Sequence, residues 1–172
     1  WISNMQTKTI GIIGGGQLGR MLAMAASRLN CRTIILEPQP GCPAAQLSNE
    51  QIVAAYDNAE ALSELASKCD VVTYEFENVP VESARHLERL VPVYPPPQAL
   101  EVAQDRLVEK GYLNSCGIPT ADFRAVDSQR DLDKALAEFG GKGVLKTRRL
   151  GYDGKGQMMF RGGEDASEAY QR

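Results

Sequence analysis

The sequence predicts an α/β protein: an open parallel-sheet domain first, then a smaller glycine-punctuated unit. Three observations carry this. Up to Leu90, short β-branched runs alternate with amphipathic stretches of about ten residues or more, the pattern of βαβ units and a parallel sheet. A glycine-rich turn, Gly14-Gly15-Gly16-Gln17-Leu18-Gly19, joins the first such run to the first helix. Pro95-Pro96-Pro97 then breaks the pattern. The expected division is 1–8 as N-terminus, 9–97 as the α/β domain, and 98–172 as a linker helix with an incomplete second domain. Trp1 to Asn4, ahead of Met5, read as a remnant foreign to the fold.

The elements follow in order. Thr9 to Ile13 is a short apolar strand ending at the glycines. Leu18, Met21, Leu22, Ala25, Ala26 and Leu29 recur at helical spacing and mark one face of a helix. Thr33 to Leu36 is a second strand ending at Glu37, followed by a rigid loop containing Pro38, Pro40, Gly41 and Pro43. Gln51 to Ala55 is a third strand, and Asn58 to Lys68 a helix with Ala61, Leu62, Leu65 and Ala66 on its apolar side. Val71 to Tyr74 is a buried-type strand running into Glu75-Phe76-Glu77-Asn78, with a helix near Val81 to Leu90 after it. Beyond the prolines, Gln98 to Ser115 reads as one long helix stopped by Gly117. Ser128-Gln129-Arg130-Asp131 has capping-box spacing and starts a helix that buries Leu132, Ala135, Leu136 and Phe139.

Composition narrows the function classes. With 43% hydrophobic and 24% charged residues the chain is an ordinary globular one, and a formal net charge of −3 gives no reason to expect nucleic acid. No apolar stretch approaches the roughly 20 residues of a membrane helix, and no signal peptide is expected. Cys31, Cys42, Cys69 and Cys116 form no Cys-x-x-Cys pair, so reduced thiols in a cytoplasmic protein are expected. The single histidine, His86, reads as a solvated helix residue, which leaves no multi-histidine metal site.

Gly14 to Gly19 matches G-x-G-x-x-G between a strand and a helix, with Glu37 ending the next strand. Its physical content is a phosphate near helix N-terminal amides. A purely structural turn is the alternative, and a smaller phosphate is favoured over a dinucleotide. Glu75 sits at the carboxyl edge of the sheet, where open α/β domains bind ligands. A ligand-hydroxyl contact and a solvated carboxylate are both open for it, whereas Glu77 reads as solvated.

Lys146 ends the apolar run Gly143-Val144-Leu145, and Gly151, Gly154 and Gly156 punctuate the loop that leads to Met158-Met159-Phe160. Such glycines let a backbone approach an anion, with Lys146 and Lys155 adding positive charge. An ordinary hairpin with a glycine turn fits this stretch equally well.

Together GIIGGGQLGRML, CDVVTYEFENV, QDRLVEK, GIPTA and LKTRRLGYDGKGQ resemble the N5-carboxyaminoimidazole ribonucleotide synthases, the PurK family of ATP-grasp enzymes and ATPase subunit of phosphoribosylaminoimidazole carboxylase. The motifs stand in that family's order from Thr9 to Phe160. The resemblance implies a pre-ATP-grasp, Rossmann-like domain followed by the start of an ATP-grasp domain. It implies a carbon–nitrogen ligase of purine biosynthesis that carboxylates 5-aminoimidazole ribonucleotide with ATP and bicarbonate, through carboxyphosphate. By position, Arg106 and Lys146 match ligands of the ATP phosphates, and Gly151, Tyr152, Asp153, Gly154, Lys155, Gly156 and Gln157 the loop over them. Gly16, Gln17, Leu18 and Glu75 match the substrate side, with Glu75 on the ribose. Tyr152, Asp153 and Lys155 also face the ribonucleotide, and Asp153 and Lys155 are the catalytic candidates, Asp153 to assist amine deprotonation.

Two departures stand out. Gly140-Gly141-Lys142-Gly143 is a more glycine-rich approach to Lys146 than the family's usual one. The adenine-binding segment and the acidic ligands of Mg2+ are expected beyond Arg172, so no metal ligand is named within the chain, which is not expected to catalyse by itself. A homodimer is also implied. The competing readings are an NAD-binding Rossmann oxidoreductase module, which leaves Gly151 to Gln157 unexplained, and a non-catalytic nucleotide sensor.

Overall fold

A computed structural model describes residues 7–151, 155–163, 166–167 and 169–171. The chain divides into two compact units, Trp1–Glu101 and Val102–Arg172, each described by itself.

The first unit is built on strands β1 (Thr9–Ile13), β2 (Arg32–Leu36), β3 (Glu50–Ile52) and β4 (Val71–Tyr74). They form a parallel sheet in the order β3-β2-β1-β4. Val93 adds a further parallel bridge to Val72. Ile12, Ile13, Ile35 and Leu36 of the two central strands are fully buried, as expected where helices and loops cover both faces of a parallel sheet. Each such side chain contributes about 1.5–3 kcal/mol by leaving water. Parallel pairing also aligns the carboxyl ends of β1, β2 and β4: Ile13 lies beside both Leu36 and Tyr74. The residues that follow, Gly14, Glu37 and Glu75, therefore emerge side by side.

The helices are α1 (Gln17–Arg28), α2 (Ala59–Lys68) and α3 (Val81–Glu88). In α2 the Asn58 side chain accepts from the Ala61 amide at 2.9 Å, and Ala61, Leu62, Leu65 and Ala66 are buried as their spacing predicts. In α1 only Ala26 of the expected apolar face turns inward. Gly19, Ala23 and Ala26 are buried, whereas Leu18, Met21, Leu22 and Leu29 are exposed. The helix lies close to the sheet on its small residues, which pushes the larger stripe outward. β3 is also shorter than the expected Gln51–Ala55 run.

The single long helix expected over Gln98–Ser115 is two helices, α4 (Pro97–Gln104) and α5 (Arg106–Ser115). Asp105 separates them. It adopts extended backbone, and its carboxylate accepts from the Leu107 and Val108 amides at 2.9 and 3.2 Å, a side-chain N-cap. The break makes Arg106 the first residue of α5. Asp105→Ala is expected to cost about 1 kcal/mol, read as an earlier midpoint in urea unfolding, with Asp105→Asn keeping most of the loss away.

α6 (Gln129–Glu138) starts at Ser128, whose hydroxyl accepts from the Asp131 amide at 3.2 Å, and it buries Leu132 and Ala135. Strands β5 (Lys142–Lys146) and β6 (Gln157–Arg161) pair antiparallel, Lys146 opposite Gln157. Gly140 and Gly141 both have positive φ, 64° and 76°, in the turn that closes α6, so the glycine-rich approach delivers β5 rather than disturbing it. A small core of Leu132, Phe160 and Ala169 packs with Leu145 and Met158.

Candidate functional site

The glycine turn lies within the first unit. Glu75 leaves β4 and folds onto the turn. Its Oε1 accepts from the Gly16 amide at 2.7 Å and its Oε2 accepts from the Gly19 amide. Glu37 leaves β2 on the other side of β1, and its Oε2 accepts from the Gly15 amide at 2.9 Å and from the Tyr56 hydroxyl. The acids flanking β1 thus take three amides of the G-x-G-x-x-G turn. Gln17 and Leu18, the first two residues of α1, are exposed, and their amides carry no hydrogen bond among the described residues.

This packing explains the glycines directly. Gly14 has φ +102°, and a Cβ there would strike the Glu75 side chain. A Cβ on Gly19 would stand 2.8 Å from the Gly14 carbonyl oxygen. The turn needs glycine to hold two carboxylates, before any ligand is considered. Burial, and then the hydrogen bond to Glu37, push the Tyr56 phenol well above its ordinary range, so at neutral pH it is a fixed donor. The Tyr56 ring also packs at a tilt of 55° on Phe76, 5.2 Å between centroids, tying the Glu37 side of the turn to the Glu75 side. Glu77 is exposed.

In the second unit, Arg106 anchors the loop after β5. Its amide donates to the Arg148 carbonyl at 3.0 Å and its guanidinium to the Gly151 carbonyl at 3.2 Å. The Thr147 amide donates to the Gly156 carbonyl at 2.8 Å, closing the base of the same loop where Gly156 takes φ +66°. The glycine loop is therefore a hairpin connection in backbone terms, joining β5 to β6. Tyr152, Asp153 and Gly154 lie outside the described residues; Lys155 and Gln157 are exposed.

Alternation along β5 turns Gly143 and Leu145 inward and leaves Lys142, Val144 and Lys146 exposed. Their partners in β6, Arg161, Met159 and Gln157, are exposed too, and paired residues of an antiparallel ladder share a face. Lys146 thus belongs to a surface with an apolar centre, Val144 and Met159, flanked by cations. A cavity of about 540 Å³ adjoins it, with Arg106, Lys110, Lys142, Lys146 and Arg148 among its lining and Asp122 the one acid among the described residues there. Arg148 is paired with Asp127. Sequence reading singled out Lys146 and missed Lys142, Val144 and Met159; strand alternation was the signal that could have found them.

The other residues with chemistry are structural. The four cysteines are free, and burial pushes the Cys69 thiol up to about 12. His86 lies on α3 beside the Ser63 hydroxyl, 3.0 Å away. Among the described residues no group of three or more His, Cys, Asp or Glu could hold a metal ion, and no helix is long and apolar enough to cross a membrane.

Known proteins resemble this chain over most of its length. Residues 7–104 match the ribonucleotide synthetase preATP-grasp domain and residues 111–172 the ATP-grasp domain. The N5-carboxyaminoimidazole ribonucleotide synthase of Brucella melitensis is 65% identical over 88% of this chain and 42% of its own length. That of Pseudomonas aeruginosa is 50% identical over 94% of this chain and 44% of its own. An ADP complex of PurK, N5-carboxyaminoimidazole ribonucleotide synthetase, superposes with TM-score 0.90 at 44% identity, over 95% of this chain and 44% of that one. The Aspergillus clavatus synthase, solved with ADP and 5-aminoimidazole ribonucleotide, superposes at 0.83 with 30% identity, over 96% of this chain and 43% of that one. The chain thus spans less than half the length of the curated relatives it matches. With a four-stranded parallel sheet under its glycine turn and ATP-grasp sequence following, the chain belongs to the ribonucleotide synthetase preATP-grasp family.

Proposed function

We propose that the protein to which this chain belongs is a carbon–nitrogen ligase that uses ATP and bicarbonate to carboxylate 5-aminoimidazole ribonucleotide on its exocyclic amine. The observation that carries the reading is the 65% identity to a named N5-carboxyaminoimidazole ribonucleotide synthase across 88% of the chain. In this reaction a bicarbonate oxygen attacks the γ-phosphorus of ATP and ADP leaves. The carboxyphosphate then yields CO2 and phosphate, and the amine attacks the carbon while losing a proton.

Each residue's role is carried over by position from the family's motifs, and its chemistry suits that role. Lys146 and Arg106 stabilise the phosphate oxygens, as a compact charge and a planar fork respectively. Gly151 to Gln157 close over the phosphates and exclude water from a hydrolysis-prone anhydride. Within that loop Tyr152, Asp153 and Lys155 face the ribonucleotide, and Asp153 receives the amine proton. Val144 and Met159 offer an apolar surface suited to a flat base. Gly16, Gln17 and Leu18 form the turn on the ribonucleotide side, where Gln17 and Leu18 present their backbone amides, and Glu75, held by the Gly16 and Gly19 amides, accepts from its ribose hydroxyls.

The described residues hold no group of three or more His, Cys, Asp or Glu that could hold a metal ion; the acidic ligands of Mg2+ are proposed to lie elsewhere in the protein, and no step here runs through the metal. The exposed stripe of Leu18, Met21 and Leu22 on α1, with Leu29 at its C-terminal cap, supports a homodimer. A cytoplasmic location fits the free cysteines.

The oxidoreductase reading loses its main support. Glu37, which would read a dinucleotide ribose, is turned onto the Gly15 amide and Tyr56. The test is ADP release by the complete gene-encoded protein given ATP, magnesium and bicarbonate. Release that requires 5-aminoimidazole ribonucleotide is expected; release indifferent to it would overturn the proposal.

A further inference from the structure

Glu37 is the feature that the reaction above leaves unused. It stands at the end of β2, half-buried, and touches nothing that could be a reacting atom. Yet its carboxylate is well engaged. It accepts from the Gly15 amide at 2.9 Å, from the Gln39 amide at 3.2 Å and from the Tyr56 hydroxyl. Gly15 is gripped on its other side too, since its carbonyl accepts from the Ala44 amide at 2.9 Å. Space around it is closed: a Cβ on Gly15 would strike Cys42 and come within 2.6 Å of Glu37 Cγ. Glu37, Ala44 and Tyr56 all come from the β2–β3–α2 side of the sheet, opposite Glu75 on β4.

We infer that Glu37 is a positioning residue for ribonucleotide binding, acting through the Gly15 peptide. A glycine turn is conformationally permissive. Fixing both the amide and the carbonyl of Gly15 sets the direction of the next peptides, and so aims the exposed amides of Gln17 and Leu18. Tyr56 completes the device by donating to Glu37 and holding it against the turn, while its ring packs on Phe76 next to Glu75. An acid at this strand end reads ribose in the dinucleotide fingerprint. Here the same position is spent internally, on shaping the turn.

The inference rests on the ligase reading, and its test separates the two. In the complete protein, Glu37→Ala is expected to raise KM for 5-aminoimidazole ribonucleotide about tenfold or more. KM for ATP is expected to stay within about twofold. Glu37→Gln, whose amide oxygen can still accept from Gly15, is expected to restore most of the affinity, and Tyr56→Phe to have a smaller effect in the same direction. A merely structural role would instead lower the melting temperature and move both KM values together, and that result would overturn the inference.

Hydrogen exchange gives a second readout independent of turnover. Glu37→Ala is expected to speed exchange at Gly15, Gly16 and Gly19 while leaving α2 unchanged. If the wild-type protein shows no ribonucleotide-dependent turnover, the ligase reading falls. Glu37 is then judged by exchange alone, and unaltered protection at Gly15 would sink it.

Discussion

Lys146→Ala in the complete protein is expected to lower kcat for ribonucleotide-dependent ADP formation by about a hundredfold to a thousandfold, the usual loss when one preorganised group aimed at developing charge is removed. Lys146 ends β5, is exposed, and has no ion pair or side-chain hydrogen bond among the described residues. Its charge is therefore not already neutralised by a protein acid. Of the other cations lining that cavity, Arg106 holds the Gly151 carbonyl and Arg148 is paired with Asp127. A unit charge about 4 Å from another is worth roughly 4 kcal/mol at an effective dielectric near 20. Losing it outweighs the packing change of truncating an exposed side chain, which is expected within about 0.5 kcal/mol of stability. Steady-state ADP formation and thermal unfolding, measured on the same preparation, separate the two. Wild-type turnover in the variant would remove Lys146 from the phosphate site.

Much of the first unit was legible because parallel strands and their helices announce themselves by pattern. β1, β2 and β4 are continuous apolar runs, and α2 shows its core face at helical spacing with a capping Asn58 ahead of it. The same rule failed at α1. Its large apolar residues have helical spacing, but its close approach to the sheet selects Gly19, Ala23 and Ala26. Periodicity locates an apolar stripe; it cannot say whether small or large side chains meet the sheet. The Asp105 break was hidden for a related reason. The residues on both sides of it favour helix, and only the cap geometry shows that the carboxylate serves the amides ahead of it.

The site was legible in its residues and not in their partnerships. G-x-G-x-x-G predicted amides facing a negative charge, which is what the structure contains, but the charges come from the chain itself. Glu37 and Glu75 are 22 and 59 residues or so from the amides they meet, at Gly15 and Gly16. Only the strand order β2-β1-β4 brings them to one turn. A motif read along the chain cannot reveal a ligand supplied across the sheet.

Glu75→Gln decides what that turn is for. The wild-type carboxylate has an acceptor oxygen for each of two amides, Gly16 and Gly19. Glutamine has one acceptor and one NH2 group, so one of the two half-buried amides is left facing a donor. The expected cost is about 1–3 kcal/mol of stability, read from chemical denaturation. Three roles for the turn then diverge in the binding data. If Glu75 receives ribose hydroxyls, KM for the ribonucleotide rises about tenfold or more, and KM for ATP is unchanged; this is the expected result. If Glu75 only plugs the turn, stability falls and neither KM moves. If the Gly16 and Gly19 amides are themselves a phosphate site, removing the resident anion tightens binding of the ribonucleotide, so its KM falls. The sign of that change distinguishes a hydroxyl acceptor fixed by backbone amides from a phosphate cradle with an acid lodged in it.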